Sequence, residues 1–195
     1  MDAPALAVLI ATCLALSMTA VVVERFTCQK PVYEPEKWAD DSEASSHNCY
    51  QYSMNEPHRG VPGKLQPGQL VGLPPLTEDK YSCSEFVRRV KADRPGLIDS
   101  DADPQTVCPC NYYKVALFLS PQKQHDYHFL RQDDTGLWSH KPGELPVTNV
   151  DADGKTIFDP LSANRTYPVA GEPPFDYSET CAFFCVPYQD GWSEA

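Results

Sequence analysis

The chain has 195 residues and a formal net charge of −11 at pH 7, from 27 acidic against 16 basic side chains. That length holds one ordinary domain plus an N-terminal segment. The charge argues against a nucleic-acid partner, which requires basic surface to neutralise phosphate. Arg88-Arg89-Val90-Lys91, the one short basic cluster, reads as the solvated face of a helix, and nineteen prolines with ten glycines predict a turn-rich domain with few long helices.

Residues 1–23 are a hydrophobic anchor or signal segment. Ala5 to Val23 is an apolar run without a charge, within the range of roughly 17–25 residues that a spanning helix needs. A signal peptide has a shorter apolar core after a basic lead, whereas Met1-Asp2-Ala3-Pro4 carries no Lys or Arg. The length favours an uncleaved anchor, which makes a membrane the first expected partner, through residues 5–23. Arg25, Lys30 and Lys37 follow the run and weakly favour a cytosolic C-terminal side. The cysteines oppose this. Seven lie beyond the apolar run, at 28, 49, 83, 108, 110, 181 and 185, a density that suits an oxidising, extracellular or lumenal compartment. Seven is odd, and with Cys49 left as a free thiol the other six can form three disulfides.

Residues 24–47 are polar and aperiodic and read as a stalk or lead-in. Residues 48–195 form the globular domain. Asn48 or Ser46 caps a short helix over 49–55 that must end before Pro57. Gly60 to Pro75, with four prolines and four glycines, is a long loop. Ser82-Cys83-Ser84-Glu85 is a capping box, and Cys83, Phe86, Val87 and Val90 recur at helical spacing until Asp93-Arg94-Pro95-Gly96 stops the helix.

Strands dominate the second half of the chain. Tyr112 to Leu119 is a β-rich apolar run, and Tyr127–Gln132 and Leu137–Lys141 flank Asp133-Asp134-Thr135-Gly136, a hairpin signature. A type I turn with Gly136 in the left-handed bulge position makes a three-residue loop. Leu130 then faces His140, and His128 faces Pro142. The two histidines become diagonal neighbours on one face, roughly 7–8 Å apart; a four-residue loop would place them on opposite faces. Asp151-Ala152-Asp153-Gly154-Lys155 is a further hairpin tip that lacks the third acid and late Glu of a calcium loop. Helices first, then an antiparallel sheet, predict an α+β fold with short N-terminal helices packed on the sheet, preceded by a hydrophobic N-terminal helix.

The candidate chemistry is a thiol with a base and a group to orient that base. A cysteine at a helix N-terminus gains from the positive end of the macrodipole, which lowers its pKa, and Cys49 has that place. His128 and His140 sit on strands that hold side chains rigidly. His47 is too close in sequence to Cys49, and His58 and His125 occupy turn-like contexts. Asn149, Asp151 and Asp126 are further orienting candidates. The structural alternative makes Cys49 half of a disulfide and His128 a hydrogen-bonded sheet residue. Cys108-Pro109-Cys110 with Cys181 and Cys185 could hold zinc, but a one-residue gap is not the usual knuckle spacing, and two disulfides tying the C-terminal segment to the sheet fit better. Asn164-Arg165-Thr166 is a glycosylation sequon.

Asn48-Cys49-Tyr50-Gln51-Tyr52, Lys114-Val115-Ala116-Leu117-Phe118, Asp126-Tyr127-His128-Phe129-Leu130-Arg131-Gln132 and Gly136-Leu137-Trp138-Ser139-His140-Lys141-Pro142-Gly143 resemble a poorly characterised family of secreted or phage- and virus-associated proteins. Pro146-Val147-Thr148-Asn149-Val150-Asp151 and Asp159-Pro160 continue the match, over roughly residues 47–187. That family more distantly resembles papain-like cell-wall peptidases and amidases. The resemblance implies a papain-like fold with Cys49 as nucleophile and His128 as base. The leading reading is therefore a thiol hydrolase, membrane-anchored or secreted, acting on an amide in peptide or cell-wall material. In it His140 or Asn149 orients the imidazole, backbone N–H groups at the start of the Cys49 helix form part of an oxyanion hole, and no cofactor or metal is implied. The competing reading is a non-catalytic, disulfide-stapled structural or interaction protein, anchored in a membrane or held with partners in a larger assembly such as a virion. A metal-stabilised interaction domain is the third.

Overall fold

The computed structural model describes residues 28–39, 46–57, 63–100, 103–120 and 125–189. The apolar segment, and with it the expected N-terminal helix and membrane anchor, lies outside the described residues. Among the described residues no helix is long and apolar enough to cross a membrane.

Nine consecutive residues, Tyr112–Ser120, make strand β2, and the last eight are all buried. A strand buried on both faces needs a layer on each side, and β2, at the centre of the main sheet, has a packed cluster on each of its faces. β2 pairs with β3 (Asp126–Gln132) and β7 (Glu179–Pro187), with β1 (Ile98–Asp99) outside β7 and β4 (Trp138–Ser139) outside β3, giving the antiparallel order β1-β7-β2-β3-β4. On one face Tyr113, Val115, Leu117 and Leu119 pack with Tyr127, Phe129, Phe184 and Val186 beneath two helices, α1 (Cys49–Ser53) and α2 (Cys83–Asp93). On the other, Ala116 and Phe118 pack with Leu130, Trp138, Ile157, Tyr177 and Phe183. Each such fully buried Phe or Leu stabilises the fold by about 1.5–3 kcal/mol relative to exposure. A two-stranded ribbon, β5 (Thr166–Val169) with β6 (Glu172–Asp176), covers part of that second face. Its prolines, Pro168, Pro173 and Pro174, are tolerated because both strands of a two-stranded ribbon are edge strands, whose outer N–H groups take no part in the ladder.

The α+β class with few helices and an antiparallel sheet is therefore as expected. The cap signals act as read at Asn48 and in part at Ser82, where the box is half made because the Glu85 carboxylate pairs with Arg88 and Arg89. Asn48 caps α1 in a reciprocal box with Gln51, and Ser82 accepts the Glu85 N–H at the start of α2. The predicted helix over 49–55 stops at Ser53, because Asn55 adopts a left-handed conformation (φ +51°).

One boundary differs. Residues 28–39, assigned by composition to a stalk, are built into the domain. Cys28 is disulfide-bonded to Cys110, the Pro31 carbonyl accepts the Asp134 N–H at 2.9 Å, and Trp38 is buried edge-on against Tyr52 and His47. A polar segment without periodicity is held by one large aromatic anchor and one covalent link. A buried guanidinium completes the attachment. Arg131 donates to Asp133 at 3.0 Å, to the carbonyls of Tyr52 and Val32 at 3.1 and 2.9 Å, and to Asn55 at 3.2 Å, with its plane 4.0 Å above the Tyr52 ring.

Six cysteines pair as Cys28–Cys110, Cys83–Cys181 and Cys108–Cys185. This corrects the zinc reading, since Cys108, Cys110, Cys181 and Cys185 are all consumed by disulfides. It agrees with the parity argument, since Cys49 is the free thiol among the described residues.

Candidate functional site: a buried thiol beside a histidine pair

Cys49 is the first residue of α1, where the chain leaves the Asn48 cap and turns onto the edge of β3. Over its first half β3 pairs with β2 alone among the described strands, and Cys49 Sγ lies against its outer edge, 3.8 Å from the Tyr127 carbonyl. The thiol is buried. Burial, with a smaller contribution from the nearby Asp126 carboxylate, pushes its pKa up from 9.0 to about 12. The expectation that the helix N-terminus would lower this pKa is thus overturned. Five residues sum too few peptide dipoles to offset desolvation of a thiolate.

His128 and His140 come together as the turn chemistry predicts. Gly136 has φ +83°, the Asp133 N–H donates to Leu137, and Arg131 pairs with Ser139 and Gln132 with Trp138. That register puts both histidines on one face, where His128 Nε2 and His140 Nδ1 are 2.8 Å apart. His140 is fixed further by two backbone hydrogen bonds with Thr148 and by contact of its Nε2 with the Val150 carbonyl at 2.9 Å. A carbonyl can only accept, so neutral His140 carries its proton on Nε2 and accepts at Nδ1. His128 Nε2–H is then the donor, and His128 Nδ1 holds the lone pair. Among the described residues that nitrogen has no hydrogen-bond partner. Burial, then the neighbouring His140, holds His128 well below the usual histidine pKa; burial also lowers that of His140, against the Val150 carbonyl and Asp151. The Tyr177 ring stacks on His128 at 4.9 Å and gives its hydroxyl proton to Asp126 Oδ2 at 2.7 Å.

The side chains of residues 127 and 128 point to opposite faces, so His128 belongs to the face away from α1. It meets Cys49 around the open edge of β3, where both residues line a cavity of about 250 Å³ together with Asn48, Asp126, Tyr127 and Tyr177. No hydrogen bond joins Cys49 to His128 among the described residues. The site holds a protonated thiol and a neutral imidazole in a shared cavity, not a preformed ion pair.

Asn149 does not orient the pair. Its side chain hydrogen-bonds neither histidine, and the next residue, Val150, does the work through its carbonyl. Asp151 spends its carboxylate on the N–H groups of Asp153, Lys155 and Asn164, which closes the loop after β4. His47 lies against Trp38, His125 is exposed and His58 lies outside the described residues. Asn164 of the sequon donates its amide to Asp153 at 2.7 Å. Two members of the site had no signal in the sequence. Tyr177 reaches His128 from beyond the β5–β6 ribbon, and Gln66, from the Gly-Pro loop, receives the Tyr127 hydroxyl proton.

Insoluble matrix shell protein 1 of Ruditapes philippinarum is 30% identical to this chain over 133 residues, which cover 68% of this chain and 80% of the relative. No family model matches the chain, and no solved structure matches it. The likeness to papain-like peptidases and to virus-associated proteins read from the sequence has no counterpart in these comparisons. Three disulfides and a shell matrix relative mark the chain as extracellular or secreted.

Proposed function

This chain belongs to the family of that shell matrix protein, and from that premise we propose that it is a structural protein of an insoluble extracellular matrix. The three disulfides carry this reading. They join residues 82, 98 and 77 positions apart, and loops of that size each restrict the unfolded chain by on the order of 4–5 kcal/mol on the chain-entropy account. Such a domain suits long service outside the cell, where no unfolded copy is replaced. The test is fractionation of the source tissue with an antibody to residues 46–189. The protein is expected in the extracellular fraction that resists detergent and chelator extraction; recovery in the cytosolic soluble fraction would overturn the proposal.

The His128–His140 contact favours a second reading, acyl transfer at Cys49, with a peptide as acyl donor. The Cys49 sulfur attacks the carbonyl carbon as the thiol proton passes to His128 Nδ1. The C–S bond forms, the amide C–N bond breaks, and His128 returns the proton to the leaving amine. Water then attacks the thioester, its proton taken by His128, and the acid is released with the thiol restored. His140 keeps His128 in the tautomer whose Nδ1 can accept, and stabilises the imidazolium by accepting from Nε2. Activated acyl esters should add one acyl mass to Cys49 in wild type and none in Cys49→Ala. Absence on wild type of both an adduct and any ester hydrolysis above the Cys49→Ala rate, at millimolar ester, would end this reading and leave the matrix proposal intact.

A further inference from the structure

A second cavity, of about 290 Å³, adjoins the thiol cavity. It is lined by Gln66, Pro67, Pro75, Leu76, Tyr81, Phe86 and Tyr127, and it shares Gln66, Tyr81 and Tyr127 with the cavity that holds Cys49 and His128. The two differ in chemistry. The thiol cavity presents Lys64 and Asp126, whereas the second has no charged lining residue; prolyl, leucyl and aromatic side chains wall it, with the polar amide of Gln66 among them.

We propose that this second cavity is the subsite for an apolar or aromatic side chain of a peptide acyl donor whose carbonyl lies at Cys49. The inference rests on the acyl-transfer reading. Three observations support it. First, adjacency: successive residues of an extended peptide advance roughly 3.3 Å each, so a peptide with its carbonyl in one cavity places a neighbouring side chain in the next. Second, size: small-molecule pockets begin at about 300 Å³, so this one admits a single large side chain and little more. Third, the walls are built. Arg89 Nη1 donates to the Pro74 and Pro67 carbonyls at 2.6 and 3.3 Å, pinning both proline turns to α2. The Asn48 amide holds the Leu65 carbonyl at 2.8 Å, Gln51 accepts the Leu65 N–H at 3.0 Å, and Tyr127 donates its hydroxyl to Gln66. Tyr81 rests edge-on against Phe86 with ring centres 5.0 Å apart. A cleft held this way is a recess in the folded protein that needs no rearrangement to receive a side chain.

The experiment uses the oxidised full chain and tripeptidyl acyloxymethyl ketones that differ only in one residue, Phe, Leu, Gly, Asp or Lys, at either of the two positions before the ketone. The Cys49 sulfur displaces the carboxylate, a thioether forms, and the thiol proton leaves to His128. Intact mass gives the rate of the Cys49 adduct. At one of the positions Phe and Leu should label at least about tenfold faster than Gly, Asp or Lys, within the discrimination an apolar pocket achieves. Leu76→Glu should erase that ratio, and the milder Leu76→Ala should reduce it, each checked by thermal melting for an intact fold. Labelling of Cys49 at equal rates across the series overturns the subsite and leaves the thiol reading standing. No labelling by any member overturns both, and an unchanged Phe-to-Gly ratio in folded Leu76→Glu overturns the placement.

Discussion

His128 Nε2 lies 2.8 Å from His140 Nδ1, and the Val150 carbonyl on the far side of His140 decides which of the two donates. The chain Val150–His140–His128 leaves His128 Nδ1 as the one basic nitrogen directed by the pair. Replacing His140 with Ala removes the acceptor and leaves a buried N–H unsatisfied, at a cost of about 1–3 kcal/mol. If the pair positions a base, His140→Ala should slow acylation of Cys49 by roughly 10²-fold or more and change the pH profile of the residual reaction. A fall in stability with no change in acylation rate per folded molecule would make the pair purely structural.

The same burial predicts a pH dependence of stability. Both imidazoles are depressed below 6.5 in the folded protein, so below that pH the unfolded chain binds protons that the folded chain refuses. Stability is therefore complete above the unfolded pKa and declines as pH falls through it, by up to about 1.4 kcal/mol per pH unit for each proton. Burial raises the carboxyls of Asp126 and Asp133, which act in the opposite sense at lower pH. Comparison with the double variant His128→Gln/His140→Gln cancels them. Urea denaturation between about pH 5 and 8 should show wild type losing ground to the double variant as pH falls; parallel curves would refute it.

What the sequence disclosed was local chemistry. The Asp133–Gly136 turn specifies the register that joins His128 to His140, and the caps at Asn48 and Ser82 mark both helix starts, because turns and caps are satisfied by neighbours in the chain. What it hid was long-range. Strand β7, Glu179–Pro187, lies between β1 and β2, yet Glu-Thr-Cys-Ala-Phe-Phe-Cys-Val-Pro has no alternation, because Phe183 and Phe184 are buried on opposite faces. Trp38 sits in a polar stretch, and its burial depends on Tyr52 and His47. The fate of Cys49 was hidden for a different reason: its helix position argued for a low pKa, and only the packing at the edge of β3 shows that desolvation wins.

Arg131 and Asp133 form an ion pair with both side chains 1% exposed, and the guanidinium also holds the lead-in segment at Val32 and the end of α1 at Tyr52 and Asn55. Arg131→Met should cost about 3–5 kcal/mol, because it leaves Asp133 as an uncompensated buried carboxylate. Arg131→Lys should recover little of that, since one ammonium cannot span the four acceptors that the planar fork reaches. Urea denaturation measures both. A loss below about 1 kcal/mol for Arg131→Met would show that the clamp contributes little.

Cys49 gives the sharpest chemical test, because its thiol is pushed up from 9.0 to about 12 by burial and Asp126. At about pH 8 the fraction present as thiolate is then on the order of a thousandfold below that of an unfolded cysteine. Iodoacetamide, a small reagent with no means of docking, should alkylate native Cys49 at least about 100-fold more slowly than the guanidine-unfolded chain, read by peptide mass mapping of the Cys49 peptide. The native rate should continue to climb above pH 9. A reagent seated in the cleft escapes this limit, since His128 takes the proton during attack. The ratio of a peptidyl ketone rate to the iodoacetamide rate should therefore fall sharply in His128→Ala. If iodoacetamide labels native and unfolded Cys49 at equal rates, the thiol is not held in the buried edge of β3, and the account of a neutral thiol–imidazole site fails with it.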